Sequence, residues 1–182
     1  DMYKSIVQSC DTYYYMLAAD TDIDDTYAFM SQFGFGRDTG IDIDGELPGV
    51  LPSRAWKRDR FAGKNFREEH RKWYLGDSIS AGIGQGYNAF TPIQLAHAIA
   101  MIASDGVGFT PHLVKTVQNV KTGEVRDIAR DPASRLEVKP EHLAIIRNAL
   151  VGVNKEGTSA AAFKGAQYVS GGKTGTAQVF SL

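Results

Sequence analysis

Residues 170–176 read Ser-Gly-Gly-Lys-Thr-Gly-Thr, and this run decides between two very different folds. A glycine-rich loop that ends in Lys-Thr is typical of phosphate-binding loops, but that motif needs a glycine five positions before the one that precedes Lys-Thr. The residue there is Gln167. Residues 176–180 then favour a strand over the helix that follows a phosphate loop. We therefore predict a strand edge that presents the Lys173 ammonium and the Thr174 hydroxyl side by side.

Ser9-Cys10-Asp11 is a second candidate site element, and it lies between two stretches with helical spacing of apolar residues. Ser9 could relay a proton, and Asp11 could accept a hydrogen bond from a substrate amide or from a catalytic lysine. The alternative is that Ser9 and Asp11 only cap a helix that starts at Thr12, because Ser and Asp are preferred at helix N-caps.

Composition narrows the function classes. The 182 residues are 43% hydrophobic and carry a net charge of -1, which predicts one globular domain and does not favour a nucleic-acid partner. The only cysteine, Cys10, excludes a disulfide within the chain, and the four histidines have no metal-ligand spacing. We therefore expect no metal and no cofactor. The sequence contains no run of about 18 apolar residues, so it predicts no transmembrane helix.

The apolar periodicity predicts helices, one long loop and a hairpin. The helix of residues 91–106 is the clearest, because Thr91, Pro92 and Gln94 form a capping box with proline at the first position. The other predicted elements are a helix in two pieces over 2–19, a helix over 24–33, a loop over 34–74, strands over 109–120 and 125–128, a helix over 140–153, and a strand that ends the 168–180 segment.

Two features of the sequence resemble functional motifs but have simpler explanations. Residues 121–123 repeat Lys-Thr-Gly, yet they lie between strand-like runs and are predicted to form a turn. The stretch from Arg54 to Lys72 is basic but interrupted by acidic residues. We interpret part of it as a solvated loop, with a contact to anionic glycan or to a partner protein as the alternative, and this group is Arg58, Arg60, Lys64, Arg67, Arg71 and Lys72.

Two longer stretches resemble class B penicillin-binding proteins. Residues 33–53 read Phe-Gly-Phe-Gly-Arg-Asp-Thr-Gly-Ile-Asp-Ile-Asp-Gly-Glu-Leu-Pro-Gly-Val-Leu-Pro-Ser. Residues 73–77 read Trp-Tyr-Leu-Gly-Asp, residues 82–87 Gly-Ile-Gly-Gln-Gly-Tyr, and residues 91–95 Thr-Pro-Ile-Gln-Leu. With Lys-Thr-Gly and the Ser-x-Asp form of the family's second motif, the whole chain is similar to the elongation branch, usually called penicillin-binding protein 2.

This resemblance implies an α+β fold with a helical subdomain beside a mainly antiparallel sheet, present here only in part. The family's nucleophile belongs to a Ser-x-x-Lys element that precedes Ser-x-Asp, and no such element precedes Ser9. We therefore expect residues 1–182 to be a partial transpeptidase domain. It would lack the upstream Ser-x-x-Lys segment and the terminal strands and helix, and would be inactive alone.

The implied activity is a peptidoglycan D,D-transpeptidase that works through a serine acyl-enzyme during cell elongation and is acylated by β-lactams. The alternative is a penicillin-recognising sensor domain. The resemblance assigns catalytic roles to Ser9, Asp11 and Lys173, and substrate or penicillin binding to Thr174, Gly175 and Thr176, with one oxyanion-hole N–H on Thr176.

The resemblance also implies partners and a location. The partners would be peptidoglycan stem peptides, β-lactams and a membrane glycosyltransferase of the elongation machinery. The location would be the bacterial inner membrane, with this domain in the periplasm.

Overall fold

The computed structural model describes residues 1–129 and 131–177. Within them the helices are α1 Met2–Val7, α2 Asp11–Asp20, α3 Ile23–Ser31, α4 Arg54–Arg60, α5 Leu75–Gly82, α6 Pro92–Ala103 and α7 Pro140–Lys155, with a 3-10 helix over Glu68–Arg71. The strands are β1 Val107–Phe109, β2 Thr116–Gln118, β3 Val125–Asp127 and β4 Pro132–Arg135. None of the helices in this part of the chain is long and apolar enough to cross a membrane.

The strands pair antiparallel in two small sheets. Strands β2 and β3 form the predicted hairpin, with Val117 opposite Arg126. Strand β1 pairs with β4, with Val107 opposite Arg135. The strand predicted over 109–120 is therefore wrong as a single element, because its two ends join different sheets. The predicted α+β class, helices beside antiparallel strands, is confirmed.

Helix α6 organises the larger core. Its predicted capping box is present: Gln94 N donates to Thr91 Oγ1 at 3.3 Å, and Thr91 N donates to Gln94 Oε1 at 3.0 Å. Gln94 is 1% exposed, and its Nε2 donates to the carbonyls of Arg37 and Pro48 at 2.8 Å each. One buried amide thus fixes the 33–53 segment onto α6. The core residues are Phe33, Phe35, Leu51, Ala98, Met101, Leu136 and Leu143.

A second core forms where α1 packs against α7, two helices far apart in sequence. Ile6, Ala149 and Val153 form its buried centre. Gly152 allows the two helices to approach closely, since a Cβ there would overlap the Tyr3 hydroxyl. This crossing places the end of α1 next to the end of α7.

The segment of residues 34–74 contains more structure than the predicted loop, so that prediction is wrong in part. Ser53 Oγ caps α4 by accepting from Trp56 N at 3.1 Å. Lys57 is 3% exposed, and its Nζ lies 2.6 Å from Asp77 Oδ2. A tertiary partner thus turns one residue of the basic stretch into a buried ion pair, which local sequence does not predict.

Three aromatic rings surround the Lys57 ammonium. Its Nζ lies 5.7 Å from the centroid of Trp73 and 5.2 Å from those of Tyr74 and Tyr87, distances typical of cation–π contacts. We call Lys57, Asp77 and these rings the lysine cage. It joins α4 to α5, and α5 packs on α2.

The strand predicted within residues 168–180 does not form over the described part, residues 168–177. Gly172 N donates instead to the carbonyl of Leu150 on α7 at 3.1 Å. The segment is therefore held by a helix and not by a neighbouring strand. Residues 178–180, the rest of that prediction, lie outside the described residues.

Candidate active site

Two of the predicted site residues meet although they are 164 positions apart. Lys173 Nζ donates to Ser9 Oγ at 2.8 Å. The same ammonium donates to Thr174 O at 2.9 Å and lies 3.4 Å from Thr174 Oγ1. Folding therefore brings the Ser-x-Asp and Lys-Thr-Gly elements to one place.

Ser9 occupies a tight turn between α1 and α2. Its φ of 53° is in the left-handed region, which a non-glycine residue seldom adopts. Ser9 N donates to Ile6 O at 3.2 Å and Cys10 N to Ser5 O at 2.9 Å. Backbone strain of this kind persists where the surrounding contacts impose it, and it is common at functional sites.

The capping alternative for Ser9 and Asp11 is wrong. Helix α2 starts at Asp11, its N-cap is Cys10, and no side chain caps it. Ser9 Oγ is used instead as the acceptor for Lys173.

Helix α7 positions the Lys-Thr-Gly element through Asn154. This amide is 6% exposed; its Nδ2 donates to Ser170 Oγ at 2.9 Å, and its Oδ1 accepts from Ser159 Oγ at 2.7 Å. A Cβ on Gly172 would lie 3.1 Å from Asn154 Oδ1, and one on Gly171 only 3.3 Å from Leu150 Cβ. The two glycines before Lys173 therefore let the chain lie close against α7.

The Thr174 hydroxyl has a partner that the sequence did not indicate. Thr158 Oγ1 lies 2.8 Å from Thr174 Oγ1. Sequence reasoning missed both Thr158 and Asn154. Asn154 carried a weak signal, a polar amide directly after the buried apolar residue Val153 of α7, whereas nothing local marks Thr158.

Desolvation and one carboxylate act in opposite directions on the pKa of Lys173, whose side chain is exposed. Desolvation lowers the pKa of Lys173, and the negative charge of Asp11 partly offsets this by raising that pKa. No ion pair within 4.0 Å joins the two among the residues described, so Asp11 acts through space. Asp11, Gly175 and Thr176 are exposed, and a Cβ on Gly175 would meet nothing within 4 Å.

Ser170 stands three residues before Lys173, which is the spacing of Ser-x-x-Lys, a coincidence that our sequence reasoning passed over. The structure separates their roles. The Ser170 hydroxyl is held by Asn154, whereas the Lys173 ammonium reaches Ser9. This geometry does not make Ser170 and Lys173 a nucleophile and its activating lysine.

The family described as the penicillin binding protein transpeptidase domain matches residues 1–182. The chain belongs to this transpeptidase family. Among curated relatives, it is 38% identical to the peptidoglycan D,D-transpeptidase MrdA of Salmonella typhimurium over 184 residues. That match covers 100% of this chain and 28% of the relative, so the chain spans about a quarter of the relative's length.

Solved transpeptidases share the fold. The Pseudomonas aeruginosa PBP2 in complex with WCK 5153 is 36% identical, with a TM-score of 0.79 over 98% of this chain and 38% of that one. The Helicobacter pylori PBP2, in a complex with MreC, is 28% identical, with a TM-score of 0.77 over 98% of this chain and 31% of that one. The resemblance to the PBP2 branch is confirmed, and these comparisons give no support to the sensor alternative.

Proposed function

We propose that this transpeptidase segment comes from a peptidoglycan D,D-transpeptidase of cell elongation. The observation that carries the proposal is the 2.8 Å contact between Lys173 Nζ and Ser9 Oγ, in a chain whose whole length matches the transpeptidase family. The contact unites two of the three elements that penicillin-binding proteins use.

The nucleophile would come from a Ser-x-x-Lys element outside residues 1–182. Its hydroxyl would attack the D-Ala-D-Ala carbonyl of a stem peptide, form an ester, and release the terminal D-Ala. The amine of a second stem peptide would then attack the ester, form the cross-link and free the serine. β-Lactams would acylate the same serine by opening of their ring.

Ser9, Asp11 and Lys173 would serve the proton transfers and the charge balance around that serine. Ser9 is placed to relay a proton because its hydroxyl already accepts a hydrogen bond from Lys173. Asp11 supports the charged form of Lys173 through space.

The binding side of the site would be formed by Lys173, Thr174, Gly175 and Thr176. The ammonium of Lys173 and the two threonine hydroxyls would hold the substrate or penicillin carboxylate, since charge-assisted hydrogen bonds are the stronger class. The Thr176 N–H would supply half of an oxyanion hole, and Gly175 would leave room for the substrate backbone.

We propose partners and a location for the whole protein on the basis of its family. The PBP2 of Helicobacter pylori forms a complex with MreC, which supports assembly of this protein with other elongation proteins. A membrane glycosyltransferase is the further partner we propose. The domain would lie in the periplasm, anchored to the bacterial inner membrane.

Adduct mapping on the full-length protein tests this function. The protein is incubated with fluorescent penicillin and digested, and the labelled peptide is identified by mass spectrometry. We expect one adduct, on a serine outside residues 1–182. Labelling of Ser9 or Ser170 would contradict the placement of the nucleophile, and a wild-type protein that no β-lactam acylates would contradict the function itself.

A further inference from the structure

The hydroxyls of Thr158 and Thr174 form one hydrogen bond, and which of the two donates affects how the site binds an anion. We propose that Thr158 is a positioning residue: its hydroxyl donates to Thr174 Oγ1 and so leaves the proton of Thr174 free to be donated to the substrate carboxylate. This inference rests on the proposed function, because it specifies how the same site recognises its ligand.

The argument starts from the hydrogen-bonding capacity of Thr174 Oγ1, which has one proton and two acceptor positions. The Lys173 ammonium has donors only, and its Nζ lies 3.4 Å from this oxygen, so the Thr174 proton is directed away from Lys173. That leaves two arrangements of the 2.8 Å contact with Thr158: the Thr174 proton points to Thr158, or the Thr158 proton points to Thr174.

A bound carboxylate is compatible with only one of the two arrangements. A carboxylate only accepts, so it can bind the Thr174 hydroxyl only if that hydroxyl donates to it. Thr158 must then supply the proton between the two threonines. Both acceptor positions of Thr174 Oγ1 are occupied in this arrangement, by Lys173 and by Thr158, and its single proton is directed to the ligand.

Thr158 is held firmly enough to act in this way. Its backbone N–H donates to the carbonyl of Val7 at 3.3 Å, two residues before Ser9. Gly157 packs directly on that same carbonyl, where a Cβ would overlap it. On the other side, Ser159 Oγ donates to Asn154 Oδ1 at 2.7 Å. The backbone that carries the Thr158 hydroxyl is thus fixed relative to both motif elements.

The test compares a carboxylate-bearing ligand with a neutral one in the full-length protein. Second-order acylation constants are measured for benzylpenicillin and for its methyl ester in wild type, Thr158→Val and Thr158→Ser. Thr158→Val removes the donor at nearly constant shape. We expect it to slow acylation by the free acid roughly tenfold, the range of one hydrogen bond to a charged group, while the ester is little affected. Thr158→Ser restores the donor and should restore the preference for the acid.

The partner residue provides the second arm. Because Thr158 acts through Thr174, adding Thr158→Val to Thr174→Val should cause no further loss, a non-additivity that a double-mutant cycle measures. Thr122→Val, in the second Lys-Thr-Gly sequence, is the matched control and should leave both acylation constants unchanged. Thr158→Ala is an independent variant that removes the hydroxyl without adding a second methyl group.

Three results would overturn the proposal. Equal losses for the acid and the ester would mean that Thr158 only maintains structure. Unchanged acylation by the acid would mean that Thr158 does not orient Thr174. Full additivity of the two valine variants would mean that the residues act independently. Each of these needs a wild-type protein that is acylated, so failure of the proposed function gives a different result.

Discussion

The sequence Lys-Thr-Gly occurs twice in this chain, and the two copies have different surroundings. Lys121, Thr122 and Gly123 turn the chain between β2 and β3. Asn119 Oδ1 accepts from the N–H groups of Lys121 and Thr122 at 2.9 and 3.3 Å, and Gly123 adopts a φ of 73°. The side chains are exposed, so the tripeptide here serves only as a turn.

The copy at 173–175 forms no such turn. Its lysine reaches Ser9 across 164 residues, its threonine contacts Thr158, and the residues before it lie along α7. The comparison teaches that the tripeptide carries no function by itself. We propose that its role depends on the Gly-Gly pair before it and on the buried Asn154 that holds it.

The largest expected effect is the loss of Lys173, compared with the loss of Lys121 in the other copy. Lys173→Ala in the full-length protein should slow acylation by fluorescent penicillin roughly 100-fold, because the ligand carboxylate loses a charge-assisted hydrogen bond worth about 1.5–3 kcal/mol. Lys121→Ala should stay within about twofold of wild type, since surface changes are usually small. Gel-based acylation time courses measure both. Similar losses of acylation rate in the two variants would contradict a special role for the copy at 173–175.

The two asparagines that hold the copies give the next effect. Asn154→Ala removes two hydrogen bonds to partly buried serine hydroxyls, so we expect it to destabilise the domain by about 1–3 kcal/mol and to slow acylation. Asn119→Ala loses exposed contacts only and should cost less than about 1 kcal/mol. Thermal melting of the full-length protein, followed together with its acylation rate, separates the two. If the Asn154→Ala protein melts and reacts like wild type, this amide does not position the Lys-Thr-Gly element.

The smallest expected effect is on how acylation depends on pH, through the copy at 173–175. Asp11 raises the pKa of Lys173 against the lowering by desolvation, so Asp11→Asn should lower that pKa further. The ammonium is then lost at a lower pH, and the alkaline limb of the acylation profile should move to lower pH. Salt should weaken the shift, because the Asp11 carboxylate is exposed. Asp20→Asn, at the other end of α2, is the control and should leave that limb in place; an upward move in Asp11→Asn would contradict the electrostatic role.

Local signals explain why much of the fold could be predicted. The capping box of Thr91 and Gln94, the interruption of the first helix at residues 8–10 and the hairpin around residues 121–123 each depend on residues close in sequence. The pairing of Ser9 with the Lys173 element was implied by the family resemblance and not by any local pattern. For the helices and the hairpin, short-range sequence and structure agree.

The remaining features depend on contacts between distant residues. Lys57 lies in a basic stretch, and no neighbouring residue indicates a buried lysine, yet Asp77 and three aromatic rings bury it. Lys-Thr-Gly at 173–175 was expected on a strand edge, but the described residues place α7, and no strand, beside the segment that leads to it. Thr158 lies in a turn without a motif and gains its partner only when residue 174 reaches it.

The lysine cage also determines which part of this domain intrinsic tryptophan fluorescence can monitor. Residues 1–182 contain two tryptophans, and Trp73 is one wall of the cage, with its indole N–H bonded to Ser78 Oγ at 2.8 Å. The ring centroid of Trp56 lies 5.3 Å from that of Tyr87, another wall. Intrinsic indole emission from this segment therefore follows the α4–α5 region. A dye or an added tryptophan near α7 would be needed to observe events at Lys173.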